Sequence, residues 1–288
     1  MNVLSLFDGI SCGQLALQKA GIKVDKYFAS EVDKYAIKVT QENFPETVQL
    51  GDVTQWRTWK LPNIDLLIGG SPCQSLSIVQ SKTRKGLDGK SKLFFEFVDV
   101  LYHVKPKYFL FENVASMSSE CKEAISRLLK CRPIFINSNC FVAQDRPRLY
   151  WTNIPTDISN LKECNINLEN ILENNVPQKY YYNKPVINID MTKQVCATLD
   201  VKNFEMNKRI FNPKFKTHTL TTAQGGYAHK KVMDSNGCRK LTPVEYERCQ
   251  GVPDDYTSCI SDNQRYKCLG NGWTVDVIAH ILKGISHD

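Results

Sequence analysis

The N-terminal stretch decides the fold, and it reads Val3-Leu4-Ser5-Leu6-Phe7-Asp8-Gly9-Ile10-Ser11-Cys12-Gly13. The apolar run Val3–Phe7 predicts a buried β-strand, and Gly13–Ala20, closed by Gly21, predicts a helix. In open α/β sheets, ligands bind beyond the carboxyl ends of the strands. The turn between strand and helix therefore predicts a ligand site, with glycine allowing close approach to the backbone. The alternative is that Gly9 only closes the turn.

The same alternation continues through the first 155 residues. Further strands are predicted at Lys26–Glu31, Asp65–Ile68, Tyr108–Glu112 and Tyr150–Asn153, and helices at Lys34–Asn43, Leu93–His103 and Glu120–Lys130. This alternation predicts a parallel sheet covered on both faces. Asn-rich, β-leaning sequence follows Pro155, and helices return at Thr242–Cys249, with Thr242 and Glu245 as a capping box, and at Thr274–Leu282. We predict three segments: residues 1–160, 161–236 and 237–288, with the last folding back onto the first.

Composition limits the class of protein. The 288 residues are 42% hydrophobic and 23% charged, which indicates a globular chain. No apolar run is long enough for a membrane span, and the N-terminus lacks the basic region of a signal peptide. The eleven cysteines are odd in number and nowhere closer than nine residues apart. This spacing predicts no zinc site and reduced thiols, and so a cytoplasmic location.

Positive charge is concentrated in two segments of the chain, whose net charge is +7. Residues 202–231 carry seven Lys or Arg against one Glu, and residues 81–92 carry five against one Asp. Basic segments on an otherwise balanced chain indicate a polyanion partner. A solvated, lysine-rich surface is the alternative.

Two carboxylates, one at the end of a predicted strand and one beyond a later loop, lie where a nucleoside would bind. Glu31 ends the second strand, the place where a ribose is held through its hydroxyls, and Asp52 lies where it could meet an adenine amino group. Two acidic groups disfavour a phosphate-rich cofactor and suit a neutral or positively charged nucleoside such as S-adenosylmethionine. Either carboxylate, taken singly, could also be an exposed turn residue.

Three further motifs carry candidate chemistry. Cys73 follows the third strand in Gly69-Gly70-Ser71-Pro72-Cys73-Gln74, where a thiolate in electropositive surroundings would be a nucleophile. Glu112 ends an apolar strand, and Arg146 and Arg148 could clamp a base, a phosphate or a carboxylate. Packing of the cysteine and a structural ion pair are the alternatives.

Taken in order, these motifs resemble the DNA cytosine-5 methyltransferase family. The resemblance covers nearly the whole chain and rests on Phe7-Asp8-Gly9, Glu31, Asp52, Ser71–Gln74, Glu112-Asn113-Val114, Gln144–Arg148, Lys240–Glu245 and Leu269–Gly272. It implies a Rossmann-like, S-adenosylmethionine-dependent methyltransferase fold with a small, irregular, β-leaning target-recognition domain at residues 161–236. Several motifs are most similar to the mammalian de novo branch, whereas the compact chain favours a bacterial or phage enzyme.

The resemblance implies roles for single residues. Cys73 would add to C6 of a cytosine flipped out of double-stranded DNA, with Glu112, Arg146 and Arg148 as the other catalytic residues. S-adenosyl-L-methionine, leaving as S-adenosyl-L-homocysteine, would contact Phe7, Asp8, Gly9, Ile10, Ser11, Cys12, Glu31, Val32, Asp52, Val53, Pro72, Asn271, Gly272 and Trp273. DNA would contact Gln74, Ser77, Val79, Arg84, Lys85, Gln144, Thr221, Thr222, Gln224 and Lys230.

Other functions stay open at this point. One branch of the family looks alike around Pro-Cys-Gln and implies the same chemistry on tRNA, and a non-catalytic DNA-binding relative is a further alternative. A dinucleotide oxidoreductase is disfavoured because the chain lacks G-x-G-x-x-G after its first strand. A cognate restriction endonuclease is a compatible partner, and the oligomeric state is open.

Overall fold

A computed structural model of the chain describes residues 1–71, 92–223 and 225–285. The chain divides into two compact units, Met1–Ile136 with Pro147–Ser159 and Ile278–Asp288, and Asn137–Arg146 with Asn160–Val277. This division differs from the three predicted segments, because residues 137–146 and most of the C-terminal segment group with the second unit. The physical reason is a buried hydrogen-bond network around Gln144, described below.

The elements follow one another along the chain as sequence alternation predicts. The strands are β1 Asn2–Leu6, β2 Lys26–Ser30, β3 Val48–Gln49, β4 Leu66–Gly69, β5 Tyr108–Val114, β6 Ile134–Asn137, β7 Gln144–Asp145, β8 Pro147–Thr152, β9 Val186–Ile187, β10 Val195–Leu199, β11 Arg209–Phe211, β12 Thr217–His218, β13 Lys231–Asp234 and β14 Gly237–Lys240. The helices are α1 Cys12–Lys19, α2 Lys34–Asn43, α3 Lys92–Val104, α4 Ser119–Leu129, α5 Glu205–Lys208, α6 Pro243–Cys249, α7 Asp262–Asn271 and α8 Val275–Leu282.

The first unit is built on a seven-stranded sheet in the order β3-β2-β1-β4-β5-β8-β6. Strands β3, β2, β1, β4 and β5 are paired in parallel, which confirms the predicted α/β sheet. Strand β8 is antiparallel to β5, with Glu112 opposite Tyr150 and Val114 opposite Arg148. Hydrophobic pattern does not encode strand direction, so the expectation of a parallel sheet was wrong at this strand.

Local capping sets the helix starts. The Asp33 side chain accepts a hydrogen bond from the Tyr35 N–H at 2.9 Å and begins α2 at the predicted residue. Thr242 and Glu245 form the predicted capping box at the start of α6. Both caps satisfy backbone N–H groups that have no partner within the helix.

Aromatic packing under the sheet decides which strand side chains reach the site. Helices α3 and α4 cover one face, where the Phe97 and Phe111 rings lie 4.8 Å apart and Phe111 and Trp151 lie 6.0 Å apart. Side chains alternate along a strand. Because Phe111 and Trp151 face these helices, Glu112 on β5 and Arg148 on β8 project from the opposite face.

The second unit contains a five-stranded sheet in the order β14-β13-β11-β10-β9 and a parallel pair, β7 with β12. Its small apolar core consists of Cys196, Ala197, Leu199, Ile210 and Cys238. Buried charge supplements this core, since the Arg239 guanidinium pairs with Glu245 at 2.7 Å and with Asp234 at 2.6 Å. Removing one partner of such a pair leaves an uncompensated buried charge.

Within the described ranges, we find no helix that combines the length and apolar character needed to cross a membrane. The same residues contain no group of three or more His, Cys, Asp or Glu side chains that could hold a metal ion.

Candidate active site

The turn after β1 has an unusual backbone that the neighbouring strand supports. Phe7, Gly9 and Ser11 all have positive φ, at 59°, 60° and 56°. This conformation is unfavourable for non-glycine residues and persists where surrounding contacts hold it. The Gly9 N–H donates to Glu31 Oε2 at 2.8 Å, and the Asp8 N–H donates to the Ser30 carbonyl at 3.2 Å. The end of β2 therefore fixes the turn.

The Glu31 carboxylate accepts hydrogen bonds from backbone N–H groups that follow β1 and β2. Besides the bond from Gly9, its other oxygen accepts the N–H groups of Val32 at 2.8 Å and Asp33 at 2.9 Å. The predicted contact with a ribose stays a prediction. Val32 beside it keeps 70% of its surface exposed, and so it presents an apolar face to a ligand.

The Asp8 carboxyl lies beneath the turn. It accepts a hydrogen bond from the Tyr27 hydroxyl at 2.7 Å and another from the Ser11 hydroxyl. Burial raises the pKa of Asp8 to about 6, and the nearby Glu31 charge adds to this rise, whereas hydrogen bonds from Ser11, Ser5 and Tyr27 oppose it. The folded state therefore keeps this carboxyl protonated to a higher pH than the unfolded chain does.

This raised pKa predicts a specific pH dependence. Because the folded state binds the Asp8 proton more tightly, the free energy of unfolding falls by about 3 kcal/mol as pH rises from about 4 to about 6, and then levels off. We expect Asp8→Asn to remove this loss, since an amide keeps an acceptor for Tyr27 and can donate to Ser11. Urea unfolding should then show the variant gaining stability over the wild type as pH rises from 4 to 7.

The matched control is Asp25→Asn, for which the expected change in stability with pH has the opposite sign. The N-terminal ammonium, at 2.7 Å, lowers the pKa of Asp25 through a hydrogen bond and its charge. That variant should lose stability relative to the wild type as pH rises to about 5, just above the ordinary pKa of Asp, and change little further above it. A constant difference between Asp8→Asn and wild type across this range would contradict the raised pKa.

The edge formed by the ends of β1, β2 and β3 fits a nucleoside cofactor. A Cβ atom added at Gly9 or at Gly51 would meet no atom within 4 Å, so open space lies against both backbones. The exposed Asp52 caps the following turn through a bond from the Thr54 N–H at 2.9 Å. An exposed apolar side chain, two carboxylates and two open glycines suit a nucleoside without phosphates.

Four of the predicted cofactor residues are buried in the core: Ile10, Ser11, Cys12 and Val53. Their side chains are at most 4% exposed, so only their backbone could reach a ligand. The predicted cofactor contacts at these positions stay a prediction, which the structure limits to backbone atoms. Phe7, Asp8 and Gly9 keep part of their surface accessible.

Glu112 and Arg148 form a tight ion pair on the face opposite α3 and α4. Arg148 Nε lies 2.8 Å from Glu112 Oε1, and both side chains are mostly buried, at 12% and 13% exposed. The register of β5 and β8 places them diagonally across neighbouring strands. The neighbouring Asn113 donates through Nδ2 to the Ser71 carbonyl at 3.3 Å, tying the end of β4 to this strand.

Arg146 has a different position from the one predicted for it. Its guanidinium donates to the carbonyls of Leu220 at 3.1 Å, Gly270 at 3.0 Å and Gly272 at 2.9 Å. Arg146 belongs to the second unit and Arg148 to the first. The expectation that both arginines project to one side as a clamp is therefore corrected: Arg146 anchors backbone and Arg148 holds a carboxylate.

Gln144 is fully buried, which corrects its predicted role in DNA contact. Its amide donates to the Cys249 carbonyl at 2.9 Å and accepts from the Leu220 N–H at 2.8 Å. Gln250, which the sequence analysis did not single out, continues the network by donating to the carbonyls of Leu269 at 2.7 Å and Gly272 at 3.1 Å. A buried amide does not differ in sequence from an exposed one, so no local signal marks it.

The remaining predicted residues fall into two sets. In the second unit, Thr221 is exposed, Thr222 and Lys230 are half-buried, and the Gly270 backbone packs directly against residues 221–222. Asn271, Gly272 and Trp273 also belong to this unit, and their cofactor contacts stay a prediction. The other set lies outside the described residues: Pro72, Cys73, Gln74, Ser77, Val79, Arg84, Lys85 and Gln224.

Comparison with known proteins gives a consistent result over the whole chain. The family model of the C-5 cytosine-specific DNA methylases matches residues 1–287. The orphan methyltransferase M.SPRI of Bacillus phage SPR is 30% identical over 285 residues, covering 78% of this chain and 64% of the relative. The type II methyltransferase M1.ScrFI of Lactococcus lactis subsp. cremoris is 29% identical over 305 residues, covering 98% of this chain and 77% of the relative.

Solved structures share the fold. The Dnmt2 methyltransferase of S. pombe has a TM-score of 0.70 at 19% identity, covering 98% of this chain and 97% of that one. A DNMT2 mutant from Spodoptera frugiperda has a TM-score of 0.69 at 22% identity, covering 98% of both chains. The predicted methyltransferase fold is confirmed.

Proposed function

Because the chain belongs to the C-5 cytosine-specific DNA methylase family, we propose that it methylates C5 of cytosine in double-stranded DNA. The chain spans 64% and 56% of the length of two phage relatives, so its whole activity is part of this proposal. The supporting observation is the Glu112–Arg148 pair, which lies next to the strand end from which Pro72 and Cys73 follow. This reaction needs an acidic group, a group that holds the cytosine in place and a nucleophile.

Cys73 is the nucleophile in this proposal. C5 of cytosine is a poor nucleophile by itself, and covalent catalysis changes that. The thiolate forms a bond to C6, the ring electrons move to C5, and C5 takes the methyl group. A base or a water molecule then takes the C5 proton, and the electrons of the C–H bond return to the ring and break the bond to sulfur, which frees the thiolate.

Glu112 recognises the base and stabilises the charge that develops on it. Its carboxyl group, when protonated, would give a proton to N3 and accept a hydrogen bond from the N4 amino group of cytosine as the thiolate adds. Arg148 keeps that carboxylate in one orientation, so little reorganisation is needed when the base arrives. An ion pair between two paired strands fixes the position of this side chain, which suits it to stabilising the charge that develops on the base.

S-adenosyl-L-methionine supplies the methyl group. We assign its adenosine part to the edge formed by Glu31, Val32 and Asp52, with the Gly9 and Gly51 backbones beside it. The open space at both glycines and the exposed apolar Val32 support this assignment.

Double-stranded DNA is the proposed partner, because the target carbon lies inside the duplex until the nucleotide is extruded. In the second unit, Thr221 is exposed and Lys230 is half-buried. The buried Gln144 and Arg146 support this segment through the backbone of Leu220.

Methyl incorporation by the pure protein tests the function. With labelled S-adenosylmethionine, we expect label in unmethylated duplex DNA and none in tRNA. Bisulfite sequencing of DNA from cells that express the protein should show the modified cytosines. Label only in tRNA would replace DNA by RNA as the substrate, and no label in either would indicate a DNA-binding relative without activity.

A further inference from the structure

The connection between β10 and β11 exposes two large apolar side chains. Phe204 keeps 79% of its surface accessible, more than any other large apolar side chain that the structure describes, and Met206 keeps 58%. Both lie at the short helix α5, and we call residues 203–208 the tip. Burying an aromatic side chain of this size is usually favourable, and folding leaves this contribution unused here.

The tip is held in place from beneath. Asn203 Oδ1 accepts from the Phe204 N–H at 2.8 Å and from Asn207 Nδ2 at 3.0 Å. The Asn207 carbonyl accepts from the buried Lys231 ammonium at 2.6 Å, which also donates to the carbonyls of Tyr227 and His229. A buried ammonium is costly unless its donors are satisfied, so these three bonds act as a fixed anchor.

Two positively charged side chains lie next to the C-terminal end of the tip. The parallel register of Ile210 with Lys231 brings Arg209 and Lys230, one residue earlier on each strand, next to each other. Like charges on neighbouring strands are unfavourable. In residues 1–71, 92–223 and 225–285, neither cation has a carboxylate within 4.0 Å. Burial and the Arg209 charge lower the pKa of Lys230 to about 8.

We propose that the tip inserts Phe204, assisted by Met206, between or against the bases of duplex DNA while Arg209 and Lys230 hold a backbone phosphate. This inference rests on the proposed function and adds to it an apolar contact. Duplex DNA combines a polyanionic backbone with apolar stacked bases, and inserted Phe or Met side chains partially unstack such steps. A phosphate between Arg209 and Lys230 would also relieve their repulsion.

The test compares apolar and ionic contacts by their response to salt. Binding of the full-length protein with S-adenosylhomocysteine to a short, fluorescein-labelled, mixed-sequence duplex is measured by anisotropy over a series of salt concentrations. We expect Phe204→Ser to weaken binding about tenfold at every salt concentration without changing the slope of log K against log salt. Arg209→Gln should instead reduce that slope by about one.

Ile189→Ser is the matched control, because Ile189 is 62% exposed in the same unit but follows the edge strand β9 and lies outside the β10–β11 connection. This variant should bind DNA as the wild type does. All three substitutions lie on accessible side chains, and light scattering reports any change in assembly.

The outcomes separate the two proposals. Wild-type binding with an unchanged Phe204→Ser affinity overturns the inference and leaves the proposed function standing. A wild-type protein that does not bind duplex DNA overturns both. If Phe204→Ser changes only the oligomeric state, the tip contacts a second copy of the chain and the inference is wrong.

Discussion

Replacing Cys73 with alanine is expected to abolish methyl transfer while DNA affinity changes by no more than about threefold. The reason is chemical, because without a thiolate no bond to C6 forms and C5 stays a poor nucleophile. The neighbouring structure supports the assignment. Strand β4 ends at Gly69, and Asn113 on β5 donates to the Ser71 carbonyl at 3.3 Å. The last described residue before Cys73 is therefore hydrogen-bonded to the strand that carries Glu112.

Single-turnover measurements with labelled S-adenosylmethionine give the loss, and anisotropy gives DNA affinity. Cys131→Ala is the control, since burial raises the pKa of this half-buried thiol and so disfavours its thiolate. A duplex that contains 5-fluorocytosine adds a direct readout, because fluorine cannot leave as a cation and the adduct persists. Turnover in Cys73→Ala, or an adduct mapped to another cysteine, would overturn the assignment.

The sequence predicted those elements whose signals are local. Helix α2 has its predicted bounds because Asp33 caps its first turn and Pro45 follows its end. The capping box of α6 is encoded the same way, by Thr242 and Glu245 three residues apart. Strand β6 and helix α7 went unrecognised, because β6 is only four residues long and α7 is predominantly polar.

Features that depend on distant residues were not predictable. Arg146 and Arg148 lie two residues apart and are chemically alike, yet one bonds the Leu220 carbonyl and the other pairs with Glu112. Arg146 lies between β7 and β8, whereas Arg148 lies within β8, and this difference in position separates their roles. Strand β8 is antiparallel to β5 for a similar reason, since direction depends on the path of the chain and not on its periodicity.

Buried charge was the hardest feature to foresee. Lys231 belongs to the predicted basic segment 202–231 and Arg239 lies eight residues beyond it, and yet both are 1% exposed. Their partners are backbone carbonyls for Lys231 and the Glu245 carboxylate for Arg239, none of them visible as a motif. The basic segment 202–231 is therefore less exposed than its composition suggests, and we assign the proposed electrostatic contact to the cations that remain accessible around Arg209.

Glu112→Gln is expected to lower the single-turnover rate of methyl transfer by about a hundredfold to a thousandfold, the usual cost of losing a group that stabilises transition-state charge. Glutamine keeps the shape of the side chain. It removes the acid that we assign to N3 of the base, and it leaves Arg148, only 12% exposed, without its partner at 2.8 Å. DNA affinity should change little, because the base contact matters most as charge develops.

A double-mutant cycle distinguishes a positioning role of Arg148 from an independent one. If Arg148 acts by holding Glu112, Arg148→Gln alone slows the reaction, but adding it to Glu112→Gln costs little more. Glu123→Gln, on an exposed residue of α4, is the control and should react at the wild-type rate. Fully additive effects would mean that the arginine contacts the substrate on its own. A Glu112→Gln rate within a few-fold of wild type would instead remove this carboxylate from the chemistry and reduce its pairing with Arg148 to a structural contact between β5 and β8.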